Sequence, residues 1–147
     1  YERALRTSNS PALIAAEAAP SYVRDPAFRR VVTEIYDFRC AATGLRLVLP
    51  DGAAMVEAAH IHPFSEAADD DPRNGLALTP DMHWALDRHL IAPDTDFRWR
   101  VSSSLDRRIP DYRVLTELEG KPLFLPRDAR MYPKREAIEW WLAVLLR

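Results

Sequence analysis

The sequence predicts a single α+β domain in which a strand, a loop, a second strand and a helix are wrapped by further helices. Three observations carry that prediction. The chain has 147 residues, enough for one domain with a real core and short for two. Its 48% hydrophobic and 29% charged content is that of an ordinary soluble globular protein. Apolar patterns of helical and of strand period follow one another along it, separated by Gly, Pro and Asp.

A first helix is expected after Ser10-Pro11, with Ser10 as cap and Pro11 in the first turn; Pro20 ends its Ala-rich body. Asp25-Pro26 opens a second. Phe28, Val31, Val32, Ile35 and Tyr36 recur at spacings of three and four, giving an amphipathic helix to about Phe38. Gly44 and Pro50-Asp51-Gly52 punctuate two apolar stretches, Leu45 to Leu49 and Ala54 to Ile61, which read as strands. Residues 62 to 74 are polar, acidic and proline-bearing, hence a loop. Within it Asp69-Asp70-Asp71 reads as a solvated run, since the spacing and glycine of a calcium-binding EF-hand are absent.

Leu76-Ala77-Leu78 is a short returning strand, and Thr79-Pro80-Asp81 caps a helix to about His89. Beyond Pro93, Phe97 to Val101 alternates like a strand, and Leu123-Phe124-Leu125 reads as another. Pro133 opens a final helix with Ile138, Trp141, Leu142 and Leu145 along one side; Trp140 and Trp141 are expected in the core or an interface.

The formal net charge is −2, and eighteen of the twenty basic residues are arginines. Arginine suits phosphate contacts, but a GC-rich genome enriches it too, so charge neither supports nor excludes DNA binding. No apolar run approaches the roughly 18 to 20 residues that span a bilayer. The start at Tyr1 shows no signal peptide and no methionine, which predicts a processed chain or a fragment. The single Cys40 excludes an internal disulfide and fits a reducing, cytoplasmic compartment.

The chemistry concentrates at His60, Asn74 and His83. A histidine ends an apolar strand, an Asn-Gly follows fourteen residues on, and a histidine opens a helix nine further on. Phosphodiester hydrolysis needs a nucleophilic water, a cation near the phosphate and help for the departing oxygen. His60, at the strand end, is the candidate base. Asn74 offers an amide that can hold a neighbouring backbone or imidazole, and Gly75 would let the chain turn into the second strand. His83 and Asp87, four apart on one helix face, make half of a divalent-metal site. Singly, these are a surface histidine, a turn and a helix-face ion pair. In this order they describe a one-metal phosphodiesterase site.

With those residues in place, positions 25–92 resemble an HNH endonuclease domain of the ββα-metal type, most closely the branch found in bacterial restriction-type nucleases. The likeness rests on Ala59-His60-Ile61, Asn74-Gly75-Leu76-Ala77-Leu78, His83-Trp84-Ala85 and Asp87, with Tyr36 to Gly44 fitting the approach segment. It implies a nuclease core at 25–92 with an N-terminal helical extension over 1–24 and a strand/helix extension over 93–147 on the same domain. It also implies metal-dependent cleavage of DNA and a role in restriction and bacterial defence. His60 would be the general base, Asn74 would orient it, His83 would bind the metal and Asp87 would be a second ligand. The implied cofactor is a divalent ion, Mg²⁺ first, with Mn²⁺, Ni²⁺ or Zn²⁺ as alternatives. The implied partners are DNA and a second copy or an attached targeting domain, with no membrane.

Two positions depart from that pattern. Many relatives carry Asp or His before the base as a metal ligand, and here Ala59 stands there, so Glu57, His62 or water would complete the shell. Zinc-bearing relatives have paired cysteines where this chain has Cys40 with Thr43 and Thr79 with Met82, so no structural zinc is expected. Packing of Met82, Leu45 and Trp84 would replace it. His62 and His89 are accessory candidates, and Arg73 and Arg88 flank the site as possible phosphate contacts. Two further readings stay open: a catalytically weak or inactive nucleic-acid-binding module, for which Ala59 speaks, and a protein-interaction domain using Trp140-Trp141.

Overall fold

The computed structural model describes residues 26–63 and 69–145. The helix expected from Ser10 to Pro20, and with it the N-terminal extension, lies outside the described residues. Helix α1 (Pro26–Ile35) buries Phe28 and Val32 on the predicted stripe, followed by Tyr36. It stops three residues before Phe38 because Asp37 and Phe38 take left-handed φ values of 53° and 57°. There Phe38 N–H closes onto Thr33 O at 2.9 Å.

A tight knuckle follows. Cys40 N–H bonds Leu45 O and Gly44 N–H bonds Cys40 O, both at 2.9 Å. Gly44 has φ +77°, and a Cβ there would lie 2.6 Å from the Phe124 ring, so glycine is required twice over. The stretch Leu45 to Leu49 forms no strand. It makes isolated bridges, Arg39 with Arg46 and Val48 with Ala54, around the Pro50-Asp51-Gly52 tip.

Strands β1 (Glu57–His60) and β2 (Gly75–Leu78) pair antiparallel, with Ala59 opposite Leu76 and His60 opposite Gly75. All four β2 residues are buried, and Ala77 O also receives Ala41 N–H at 2.8 Å, stitching the knuckle to the sheet. Between the strands, Pro72–Asn74 is a 3-10 turn capped by Asp71. Helix α2 (Pro80–Asp87) follows β2 directly and buries Met82, Ala85 and Leu86.

A second antiparallel pair, β3 (Ile91–Pro93) with β4 (Trp99–Val101), lies beyond. The apolar Ile91–Pro93 was too short to show a period of its own. Leu123–Leu125 is not a strand; Pro122 bridges Arg98 in isolation, and Leu123 N–H reaches Phe97 O. After the short helix α3 (Arg113–Thr116), helix α4 (Arg135–Leu145) packs on β3 through Ala137, Ile138 and Trp141. The Trp141 indole donates to Ile91 O at 3.0 Å, and Trp99 donates to Ala41 O at 3.2 Å. One buried cluster therefore runs from Phe28 through β1, β2 and α2 to Trp141. Among the described residues no helix is long and apolar enough to cross a membrane.

Candidate functional site

His60 stands at the end of β1, its side chain 11% exposed. The ring stacks on Phe28 of α1 with centroids 4.1 Å apart and planes 5° from parallel. Its Nε2 lies 2.9 Å from Asp70 Oδ1. Asp70 belongs to the run read as solvated, and that reading is corrected for all three acids. Asp69 pairs with Lys134, which also lies 3.7 Å from Asp71. Asp71 takes Arg73 in a bidentate pair, 2.7 Å at the shorter Nη2 contact. The loop is acidic because its carboxylates have partners.

Asn74 is fully buried and touches backbone, not the base. Its Oδ1 accepts His62 N–H at 2.9 Å, and its Nδ2 donates to His62 O at 3.0 Å and Asp69 O at 2.9 Å. One amide thus clasps both ends of the loop, with both of its N–H donors and its oxygen engaged by backbone. Any orientation it imposes on His60 passes through the main chain. Gly75 is also revised: at φ −125° it is extended, so no turn demands it. A Cβ there would meet Val32 Cγ2 at 2.6 Å and Phe28 Cζ at 3.0 Å. Its small size lets α1, and with it Phe28, close over the sheet.

His83 occupies the first turn of α2, where Thr79 sits at the cap position without a side-chain capping bond. The Thr79 hydroxyl donates instead to Asp81 Oδ1 at 2.5 Å and lies 3.6 Å from Cys40 Sγ. With that proton committed to Asp81, the Cys40 thiol is the donor of the pair, and it also accepts Thr79 N–H at 3.5 Å. A buried thiol–hydroxyl bond links the knuckle to the start of α2. Met82 packs there fully buried, but Leu45 is 44% and Trp84 56% exposed, so neither fills the gap. Trp84 faces outward on α2, opposite Met82, Ala85 and Leu86, with the Arg88 guanidinium 5.4 Å from its ring centre.

Glu57, His83 and Asp87 form a line with the imidazole in the middle. Glu57 Oε2 lies 2.6 Å from Nδ1, and Asp87 Oδ2 lies 3.4 Å from Nε2. A carboxylate on Nδ1 calls for the proton there, which leaves the lone pair of a neutral ring on Nε2 beside Asp87. Glu57 thus stands at the Nδ1 edge of the ring and Asp87 at the Nε2 edge. Among the described residues no three His, Cys, Asp or Glu side chains converge on one point. One imidazole nitrogen and one carboxylate on a single helix face still suit a hard divalent ion that keeps several water or phosphate ligands.

The remaining candidates are held elsewhere. The His62 ring stacks on Trp140 at 4.5 Å, and His89, at φ +61° past the end of α2, packs on Trp141 at 4.6 Å. Arg73 is engaged by Asp71, while Arg88, the residue after α2, lies over the exposed Trp84 ring. That Phe28, Asp70 and Lys134 belong to the site was not legible in the sequence; the available signal was an acidic run between the histidine and the asparagine.

Residues 40–92 match the family model described as HNH endonuclease. That span runs from the Cys40 knuckle through both strands and α2 to β3. No curated protein sequence matches the chain. A solved structure titled "Modification dependent TagI restriction endonuclease" shares the fold, with TM-score 0.62 and 18% identity over 82% of this chain. The alignment covers 38% of that protein, so this chain spans well under half its length. The strand–strand–helix core that carries His60, Asn74 and His83 is thus the part of the chain, residues 40–92, that is similar to the HNH endonuclease family.

Proposed function

We propose that the chain hydrolyses DNA phosphodiester bonds in a metal-dependent reaction, with His60 as general base. The observation that carries the reading is the placement of His60 at the end of β1, held by stacking and a carboxylate, within the family-matched strand–strand–helix unit. In the step proposed, His60 takes a proton from a water whose oxygen forms the new bond to phosphorus. The bond from phosphorus to the 3′ oxygen breaks, and that oxygen leaves as a hydroxyl after taking a proton from solvent. A divalent ion held by His83 and Asp87 would offset negative charge on the phosphate and the departing oxygen. Glu57 holds the His83 ring in register, and Asn74 holds the loop that closes beside the base. Arg88, just past the end of α2 and over the Trp84 ring, offers a cation to a flanking phosphate.

One such centre cuts one strand, so a double-strand break needs a second copy or a second event. Target choice falls to a partner or a further domain, and a restriction role follows the kinship.

Cleavage of supercoiled plasmid with Mg²⁺, Mn²⁺, Ni²⁺ or EDTA tests the reading against His60→Ala and His83→Ala. Metal-dependent nicking lost in both variants is expected. DNA binding without cleavage under any metal would leave a non-catalytic binding module instead.

A further inference from the structure

We propose that Asp70 is the positioning residue for His60: it keeps the ring proton on Nε2 and so makes Nδ1 the basic nitrogen. This rests on the nuclease reading, because it assigns how the base of that reaction is prepared.

A ring stack and a polar contact bear on the imidazole in different ways. The Phe28 stack, at 4.1 Å and 5°, defines the plane of the imidazole but leaves it free to turn within that plane. The 2.9 Å contact from Nε2 to Asp70 defines which edge faces which way. A neutral imidazole has one donor and one acceptor nitrogen, and an ionised carboxylate only accepts. Asp70 therefore selects the Nε2–H form, and a base in the other tautomer presents a proton where a lone pair is needed.

Asp70 is itself placed by its neighbours. Asp69 is held by Lys134 and, through its carbonyl, by the Asn74 amide. Asp71 is held by Arg73 and takes its own N–H to Asp69 Oδ1 at 3.0 Å. With both flanking residues tied, Asp70 has little freedom to swing away from the ring. The asparagine of the motif thus bears on the base through Asp69 and Asp70. Among the described residues of this loop brace, Asp69, Asp71, Arg73 and Lys134 all have partners of their own.

The test uses the full chain with Asp70→Asn and Asp70→Ala, both at a loop position where folding is checked by circular dichroism. Three quantities are read: single-turnover plasmid nicking, DNA affinity in EDTA, and the ¹⁵N signals of the His60 imidazole assigned by loss in His60→Ala. Both variants should slow the cleavage step about 10- to 100-fold, within the range general-base catalysis supplies, at DNA affinity changed by less than about twofold. In Asp70→Asn the amide can donate to Nε2, so the Nδ1–H tautomer should rise. Parental cleavage rates, or imidazole signals unmoved in both variants, would overturn the proposal. So would an equal loss of DNA affinity, which would mark the loop as merely structural. A parent chain that never nicks while its imidazole still responds to Asp70→Asn would remove the nuclease reading, and the catalytic purpose of Asp70 with it.

Discussion

Glu57 and His83 meet at 2.6 Å, a carboxylate from β1 against Nδ1 of an imidazole from α2. The contact joins the first strand and the helix of the strand–strand–helix core at one ring and turns the opposite nitrogen toward Asp87, 3.4 Å away. Strand and helix thereby divide the work, one aiming the imidazole and the other supplying the adjacent oxygen.

That division predicts unequal losses in metal affinity. Glu57→Gln should weaken Mn²⁺ binding about 10- to 100-fold, the usual cost of losing an orienting partner. Asp87→Asn should weaken it at least as much. Calorimetric titration decides; loss of binding in Glu57→Gln with Asp87→Asn unaffected would put the ion on the Nδ1 edge.

Gly75→Ala should destabilise the fold by about 1 to 3 kcal/mol, because the added methyl meets the buried Val32 at 2.6 Å. Urea denaturation of Gly75→Ala, Val32→Ala and the double variant measures it. The double variant should be less destabilised than the two singles summed, since the cavity receives the methyl.

Asn74→Ala removes the partner of one N–H and two carbonyls around the loop. The expected loss is roughly 2 to 3 kcal/mol, as unsatisfied backbone groups carry their desolvation cost. Faster proteolysis between His62 and Asp69 should accompany it, with α4 still protected in hydrogen exchange.

The loop brace should fail in acid. The Arg73 hydrogen bond holds the Asp71 carboxyl at about 2, below its ordinary 3.8, against the opposing effect of burial. Burial is the largest single influence on Asp69 and would raise it, but the hydrogen bonds from Lys134 and the Asp71 backbone, with the Lys134 charge, together hold that carboxyl below its ordinary value. Carboxyls depressed in the folded state stabilise it above their unfolded values and lose that contribution as pH falls through the folded ones. Stability should therefore drop between about pH 4 and pH 2. Asp71→Asn should flatten that limb in denaturation curves taken across the window.

Chelation should leave the fold intact. Cys40 is engaged with Thr79, so EDTA should shift the melting temperature by no more than about 2 °C. A collapse of the melt on chelation would reveal a structural metal at the knuckle.

The sequence by itself determined the elements whose pattern is local. The stripe of Phe28, Val32 and Tyr36, the paired strands around Asn74-Gly75, and His83 with Asp87 four apart on a helix are all set by spacing along the chain. The tertiary structure decided what faces what. Asp70 reaches His60 across ten residues of loop, Lys134 reaches Asp69 from the start of α4, and Trp140 stacks on His62. Those contacts depend on how the chain closes, and an acidic run reads the same whether its partners are water or a distant lysine. Gly75 shows the limit most sharply: Asn-Gly has the composition of a turn, yet the residue is extended, and glycine is required because α1 lies against it. Spacing specifies which side chains share a face; only closure of the chain specifies the group standing opposite.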